Sequence, residues 1–146
     1  MKLLILTSQT SDSGAWVRAQ GIAFGLGKAG IEVRAPKPPA TWPLFLHFVL
    51  PLPFYLLWTI LGRYDWILVL KPYPHAMIPA LLGRFLHGAK VLCDVADVDW
   101  EYRAGFLSSV LKFLQKPWPR RADRVSYHHR DLRGRILEEF GVGEGR

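Results

Sequence analysis

The chain has 146 residues, of which 50% are apolar and 21% are charged, a composition that excludes a disordered segment and fits one globular domain with its own core. Lysine and arginine outnumber aspartate and glutamate by 19 to 12, giving a formal net charge of +7. This balance favours an anionic partner such as nucleic acid, a phosphorylated ligand or an acidic membrane surface. Cys93 is the only cysteine, so an internal disulfide is excluded and a reducing, cytoplasmic location fits best.

Short apolar runs and longer helical patterns alternate along the whole chain. The first run carries no cleavage-site pattern, so it predicts a strand rather than a signal peptide. Strands are predicted at residues 2–7, 31–36, 64–72, 89–95 and 123–129. Helices are predicted at residues 15–30, 75–88, 104–116 and 130–142. Glycines 21, 25 and 27 weaken the first helix, but they would let it lie close to a sheet.

This alternation predicts an α/β fold of the Rossmann-like, three-layer α/β/α type. The sheet would be mainly parallel, with helices on both faces and right-handed crossovers. Residues 1–146 are assigned to a single domain. The final segment, GVGEGR, is rich in glycine and indicates the beginning of a linker, beyond which another domain could start.

Residues 44–61 form an apolar stretch with no formally charged side chain, long enough to raise the question of a membrane span. Pro51 and Pro53 weigh against a span because they would disrupt a helix at its middle. The flanking strands also belong to one sheet in the predicted fold. Two alternatives remain open: a helix packed within the domain, or an apolar surface that touches a bilayer.

In a parallel α/β sheet, ligands bind beyond the carboxyl ends of the strands, so the residues after each strand are the first candidates for a site. After strand 1, Ser13 and Gly14 precede a helix that carries Arg18 one turn in. Backbone N–H groups at such a helix start can hold an anion, although a simple capped loop has the same appearance. The GxGxxG fingerprint is missing, which argues against a dinucleotide-dependent oxidoreductase.

Lys71 stands at the end of strand 3, and His75 follows it between closely spaced prolines. The lysine could orient a phosphate group, and the histidine could titrate near neutral pH. The alternative is a stiff turn between strand and helix that binds nothing.

Strand 4 ends in three closely spaced aspartates, Asp94, Asp97 and Asp99. Mutual repulsion in a partly dry cleft would raise the pKa of at least one of them, which suits a general base. One aspartate could instead cap the following helix or pair with Arg103, and another could be simply solvated. No histidine, cysteine or glycine pattern of a metal site accompanies them, so no metal is predicted.

The carboxy-terminal third is strongly basic. His128 and His129 follow strand 5, but adjacent side chains on a strand do not face one way, so a shared metal is not expected. No recognition-helix or aromatic-ladder motif is present, so only charge favours nucleic-acid binding. The arginines of this region are Arg120, Arg121, Arg124, Arg130, Arg133 and Arg135.

Three stretches of the chain, taken in order, resemble the amino-terminal domain of the GT-B glycosyltransferases, in particular the large GT4-like group. Residues 1–36 are similar to that group's opening strand, glycine-containing loop, helix and second strand, with Arg18 and Glu32 at matching places. Residues 63–97 resemble the family's stretch from YDvi to hD, and residues 122–142 resemble its ending from aD to gv.

The resemblance implies transfer of a sugar from a nucleotide-sugar, a co-substrate, to an acceptor in a cleft between two Rossmann-like domains, with no other cofactor. In this family the amino-terminal domain mostly binds the acceptor and supplies the base. The nucleotide-sugar-binding domain, with its acidic E-x7-E element, is absent from these 146 residues, so we expect the chain alone to be inactive. It would need that domain in cis or as a separate chain.

The chain departs from the family pattern in three places. The double-glycine loop is reduced to Ser13-Gly14, and two histidines replace the serine that usually opens the last helix. The histidine that many members carry after strand 4 is missing, with Asp94 and Asp97 near its place. The third departure leaves the identity of the base open between these two aspartates.

The sequence and the resemblance together predict the acceptor-side domain of a glycosyltransferase, cytoplasmic and peripheral to an anionic membrane surface, with a lipid-linked acceptor. The alternative is a non-catalytic Rossmann-like module whose basic carboxy-terminal third binds a protein or nucleic acid. Asp97, ahead of Asp94, is the predicted base. The predicted substrate-binding residues are Ser13, Gly14, Arg18, Lys71 and His75.

Overall fold

A computed structural model describes residues 1–8, 13–37, 49–96, 98–127, 134 and 138–142. The strands are β1 (Lys2–Thr7), β2 (Glu32–Arg34), β3 (Trp66–Leu70), β4 (Lys90–Val95) and β5 (Arg124–Tyr127). The α-helices with assigned bounds are α1 (Gly14–Lys28), α2 (Pro51–Leu61), α3 (Pro74–His87) and α4 (Gly105–Gln115). Two short 3-10 turns, Asp99–Tyr102 and Pro119–Arg121, precede and follow α4.

The five strands form one parallel sheet in the order β2-β1-β3-β4-β5. The predicted α/β fold with a Rossmann-like parallel sheet is confirmed. The register aligns one row of residues near the carboxyl ends of the strands. In that row Thr7 pairs with Leu70, Leu70 pairs with Asp94, and Asp94 pairs with Ser126.

Alternate side chains of the strands bury themselves on opposite faces of the sheet, as the period of a strand requires. On one face, Leu4 and Leu6 belong to a core that includes residues of α2 and α3. On the other face, Leu3 and Ile5 pack with Ala19 of α1. Helices therefore cover both faces, which gives the three layers that the sequence predicts.

Helix α2 begins at Pro51, so Pro51 and Pro53 lie in its first turn and not at the middle of a helix. Proline is tolerated there because the first N–H groups of a helix have no partner within it. Tyr55 and Thr59 are fully buried, so this half of the apolar stretch is a helix packed in the domain. Residues 44–48 lie outside the described part of the chain. Within the described ranges, no helix is long and apolar enough to cross a membrane.

The expected close approach of α1 through its glycines is wrong. A Cβ atom added at Gly21, Gly25 or Gly27 would meet nothing within 4 Å. The close approach occurs at Gly83 of α3 instead. A Cβ atom there would lie 2.4 Å from Ile67 of β3 and 2.9 Å from Thr59 of α2.

Most of the predicted helix at 130–142 falls outside the described residues, which include only 134 and 138–142 of it. Residues 138–140 are helical. Phe140 and Val142 are buried in the same core as α2 and α3.

Candidate functional site

The carboxyl ends of β1, β3 and β4 bring together several of the polar residues singled out in the sequence. The chain leaves β1 toward β2 on one side, and β3 lies on the other side of β1. This strand order creates a topological switch point, where open α/β sheets bind their ligands. The site is therefore built from residues that follow these three strands.

Asp94 is buried at the end of β4, and its side chain is only 3% exposed. The Arg18 guanidinium of α1 contacts both carboxylate oxygens, Nη1 to Oδ2 at 2.9 Å and Nη2 to Oδ1 at 3.1 Å. The Ser126 hydroxyl donates a further hydrogen bond of 2.6 Å to Oδ1. A two-point arginine–carboxylate pair is strong and fixes orientation, so Asp94 ties α1 to β4.

Asp99 is held by a second set of partners. Its Oδ1 accepts from the Lys71 ammonium at 2.8 Å, and its Oδ2 accepts from the Tyr73 hydroxyl at 2.7 Å. The Asp99 N–H donates to the side-chain oxygen of Gln115 at 3.3 Å, which attaches the end of α4 to this cluster. Burial, and then the Asp99 carboxylate, raise the pKa of Tyr73, so its hydroxyl remains a hydrogen-bond donor at physiological pH.

Each of these two aspartates therefore has its own cation. Asp99 pairs with Lys71, and not with Arg103, which the sequence offered as an alternative partner for one of the aspartates. Nor does Asp99 cap the next helix, since Ala104 occupies the N-cap of α4 and makes no side-chain cap hydrogen bond.

The backbone of Lys71 has a φ of 63°, the one left-handed conformation at a non-glycine residue in the described part of the chain. Three hydrogen bonds hold it there. The Lys71 N–H donates to the Asp94 carbonyl at 3.1 Å, and its carbonyl accepts from the Ser8 hydroxyl and from the Tyr73 N–H. Such a conformation costs about 1–3 kcal/mol and is maintained when the surroundings over-determine it, as happens at functional sites.

Ser13 and Gly14 mark the beginning of α1, as the sequence predicts. Ser13 is the N-cap residue, and its hydroxyl accepts from the Trp16 N–H at 3.3 Å. The first turn of α1 carries no acidic side chain, and the start of a helix bears a partial positive charge. Among the residues that the structure describes, a Cβ atom at Gly14 would meet nothing within 4 Å.

His75 packs against Tyr73. Its side chain is buried, and its ring is stacked on Tyr73 with 6.2 Å between the ring centroids.

Three predicted or discussed residues, Asp97, His128 and His129, lie outside the described residues. Among the residues that the structure does describe, no group of three or more His, Cys, Asp or Glu side chains is placed to hold a metal ion.

Tyr73, Ser126 and Gln115 belong to the site but were missed from the sequence. Tyr73 lies between Pro72 and Pro74, two positions after Lys71. That place, just beyond the end of a strand, could have marked it as a site residue. Ser126 becomes visible only when the register places it beside Asp94.

The comparison with known proteins adds no identification. No family model matches the chain, and no curated protein matches its sequence.

Proposed function

We propose that this chain is the acceptor-side domain of a two-domain GT-B glycosyltransferase, which moves a sugar from a nucleotide-sugar to an acceptor hydroxyl. The observation that carries the proposal is the meeting of Arg18, Lys71 and the end of β4 at one switch point of a parallel sheet. Ligands of open α/β sheets bind at this position. The order of the three sequence stretches that resemble GT4-like enzymes supports the same conclusion.

Asp97 is the proposed general base, ahead of Asp94. Both carboxylate oxygens of Asp94 are already engaged with Arg18 and Ser126, so Asp94 suits the orientation of Arg18 better than the removal of a proton. Asp97 follows three positions later in the sequence and remains the aspartate best suited to activate an acceptor hydroxyl.

Phosphate groups of the donor or the acceptor would lie against the start of α1. The N–H groups near Gly14 supply hydrogen bonds, and the partly exposed Arg18 supplies charge. Lys71, whose side chain is 12% exposed, would help orient the phosphate from the other side of the cleft.

The acceptor is proposed to be lipid-linked, with the protein peripheral to the cytoplasmic face of a membrane. The net charge of +7 supports this. Basic side chains near an anionic bilayer each contribute about 1 kcal/mol of attraction.

The test is sugar transfer by the chain joined to its nucleotide-sugar-binding domain, supplied in the same frame or as a separate protein. We expect Asp97→Asn to lower kcat by about 100-fold or more. The control is Glu32→Gln, which changes a carboxylate that is 49% exposed on β2 and should leave the rate unchanged. Undiminished rates in both Asp97→Asn and Asp94→Asn would remove the base assignment.

The rival is a non-catalytic module that binds a protein or nucleic acid through the basic carboxy-terminal third. The reading frame downstream discriminates between them. A second Rossmann-like half with an E-x7-E element favours the enzyme, whereas no such half in the same frame or an adjacent one favours the module.

A further inference from the structure

Helix α4 exposes large apolar side chains on its solvent side. Phe106 is 85% exposed and Phe113 is 81% exposed. They are seven positions apart, which is two turns of an α-helix, so they lie on the same side. These two side chains form an apolar ridge along a helix whose opposite side packs through Leu111.

The same helix is basic. Lys112 and Lys116 flank Phe113, and the sequence has no acidic residue between Gly105 and Arg121. Phe113 borders a cavity of about 570 Å³ whose charged lining residues are Lys112, Lys116, Arg120, Glu138 and Glu139. Three cations against two carboxylates leave the lining with one positive charge in excess.

We propose that α4 docks this protein on an anionic membrane surface, with Phe106 and Phe113 entering the headgroup region and Lys112 and Lys116 facing lipid phosphates. Helices that lie in a bilayer interface combine phenylalanine or leucine with lysine in this way. The lysine stems can lie along the apolar ridge while their charges stay in water. Phenylalanine is enriched at protein–protein interfaces, but lysine is depleted there, so a surface that combines the two fits an anionic membrane better than a protein partner.

Helix α2 is the other apolar surface, and its composition differs. It exposes Leu57, Ile60 and Leu61, but no basic residue occurs within Pro51–Leu61. Apolar contact without cations gives no attraction toward anionic lipid in particular. The membrane contact is therefore assigned to α4 rather than to α2.

Docking through α4 would also position the candidate site. Gln115 at the end of α4 accepts from the Asp99 N–H at 3.3 Å, and Asp99 pairs with Lys71 at the carboxyl edge of the sheet. A membrane-bound α4 would thus hold this edge near lipid headgroups, where a lipid-linked acceptor presents its hydroxyl or phosphate. That last step rests on the proposed function. The docking itself does not depend on the proposed sugar transfer, and it can be measured without donor or acceptor.

The experiment is co-sedimentation of the full chain with vesicles of phosphatidylcholine, with and without phosphatidylglycerol, at low and high salt. We expect binding to the anionic vesicles at low salt and loss of binding at high salt, where charges are screened. Phe106→Ser/Phe113→Ser should weaken binding by about tenfold or more. Lys112→Gln/Lys116→Gln should weaken it by about fivefold per lysine removed.

Leu57→Ser/Leu61→Ser on α2 is the matched control and should bind as the unaltered chain does. Circular dichroism of each variant verifies that the fold is kept. Absence of vesicle binding at low salt would overturn the proposal, as would binding lost in the α2 variant and retained in the α4 variants. If the α4 variants instead lost only self-association or binding to a second domain, the ridge would be a protein interface. In any of these outcomes, sugar transfer to a soluble acceptor could still proceed, so failure of docking is distinguishable from failure of the proposed function.

Discussion

Arg18 and Asp94 are joined by two contacts, of 2.9 and 3.1 Å, although 76 positions separate them in the sequence. Asp94 is almost fully buried, whereas the Arg18 side chain is 32% exposed. The buried Asp94 carboxylate needs a cation inside the protein, and the Arg18 guanidinium supplies it while still reaching the surface. This fixes the start of α1 relative to β4, at the place where we propose that phosphate groups bind.

Removing Arg18 should destabilise the fold because it leaves a buried carboxylate without its cation. For Arg18→Met we expect the free energy of unfolding at pH 7 to fall by about 3 kcal/mol. Asp94→Asn should cost less, since asparagine still accepts from Ser126 and the arginine left behind can reach solvent. Urea unfolding followed by circular dichroism measures both values.

The matched control for this pair is Lys2, whose ammonium lies 3.5 Å from Glu32 on the surface, with side chains 55% and 49% exposed. Lys2→Met should change the free energy of unfolding by less than about 1 kcal/mol. If Arg18→Met lowered the free energy of unfolding no more than Lys2→Met does, the buried Arg18–Asp94 pair would contribute no more stability than a surface pair.

The left-handed backbone of Lys71 predicts that glycine at this position is more stable than alanine, the reverse of the usual order. Lys71→Ala and Lys71→Gly both remove the ion pair with Asp99, but alanine at a φ of 63° retains the steric cost of a Cβ atom. We therefore expect Lys71→Gly to be the more stable of the two by about 1 kcal/mol. Thermal or urea unfolding of the two variants gives the difference.

An exposed helical position should show the ordinary order. Gln20 lies on the exposed side of α1. There Gln20→Gly should be less stable than Gln20→Ala by about 1 kcal/mol. If alanine were the more stable residue at position 71 as well, the conformation assigned to Lys71 would be wrong.

The sequence predicts the sheet well because the strands are short apolar runs. In β1 and β3, for example, nearly every residue is buried. These strands can therefore be recognised from their continuous apolar residues alone, without knowledge of the rest of the fold. The position of Asp94 at the carboxyl edge follows from the same pattern. Its partners do not, because Ser126 and Arg18 meet it only through strand register and the placement of α1.

The glycines show where sequence reasoning fails. Gly21, Gly25 and Gly27 are spaced as though α1 approached the sheet closely, yet each faces open space. Gly83 is a single glycine in α3 and gives no such pattern, yet it is the one packed against Ile67. Which face of a helix meets the core depends on all its apolar contacts, and glycine spacing alone does not determine it.

This contrast can be measured with the same substitution at two sites. Gly83→Ala would place a Cβ atom 2.4 Å from Ile67 and 2.9 Å from Thr59, so we expect a loss of about 1–3 kcal/mol from overpacking. Gly25→Ala adds a methyl group in open space and should gain about 0.5–1 kcal/mol through helix propensity. If the free energy of unfolding changed with the same sign in Gly83→Ala and Gly25→Ala, the packing described for α3 would be contradicted.

Alkaline pH should destabilise the protein through Tyr55. Burial raises the pKa of this tyrosine to about 12, although hydrogen bonds with Thr7 act in the opposite direction; an unfolded tyrosine has a pKa of about 10. Between pH 10 and 12 the unfolded chain loses the phenol proton while the folded chain keeps it, so the free energy of unfolding falls as pH rises. Below pH 10 the contribution is fully present. The pKa of Tyr73 is also raised, by burial and by Asp99, and this adds to the loss in the same direction.

Tyr55→Phe separates the titration of Tyr55 from its hydrogen bonds. The variant should be less stable at pH 7 by about 1 kcal/mol, because the Tyr55 hydroxyl no longer donates to the Thr7 carbonyl, a bond of 2.7 Å. It should also lose less stability than the unaltered chain between pH 10 and 12, because the phenol that stays protonated in the folded state is gone. Urea unfolding at several pH values gives both slopes. Equal slopes would mean that Tyr55 does not titrate differently in the folded and unfolded states.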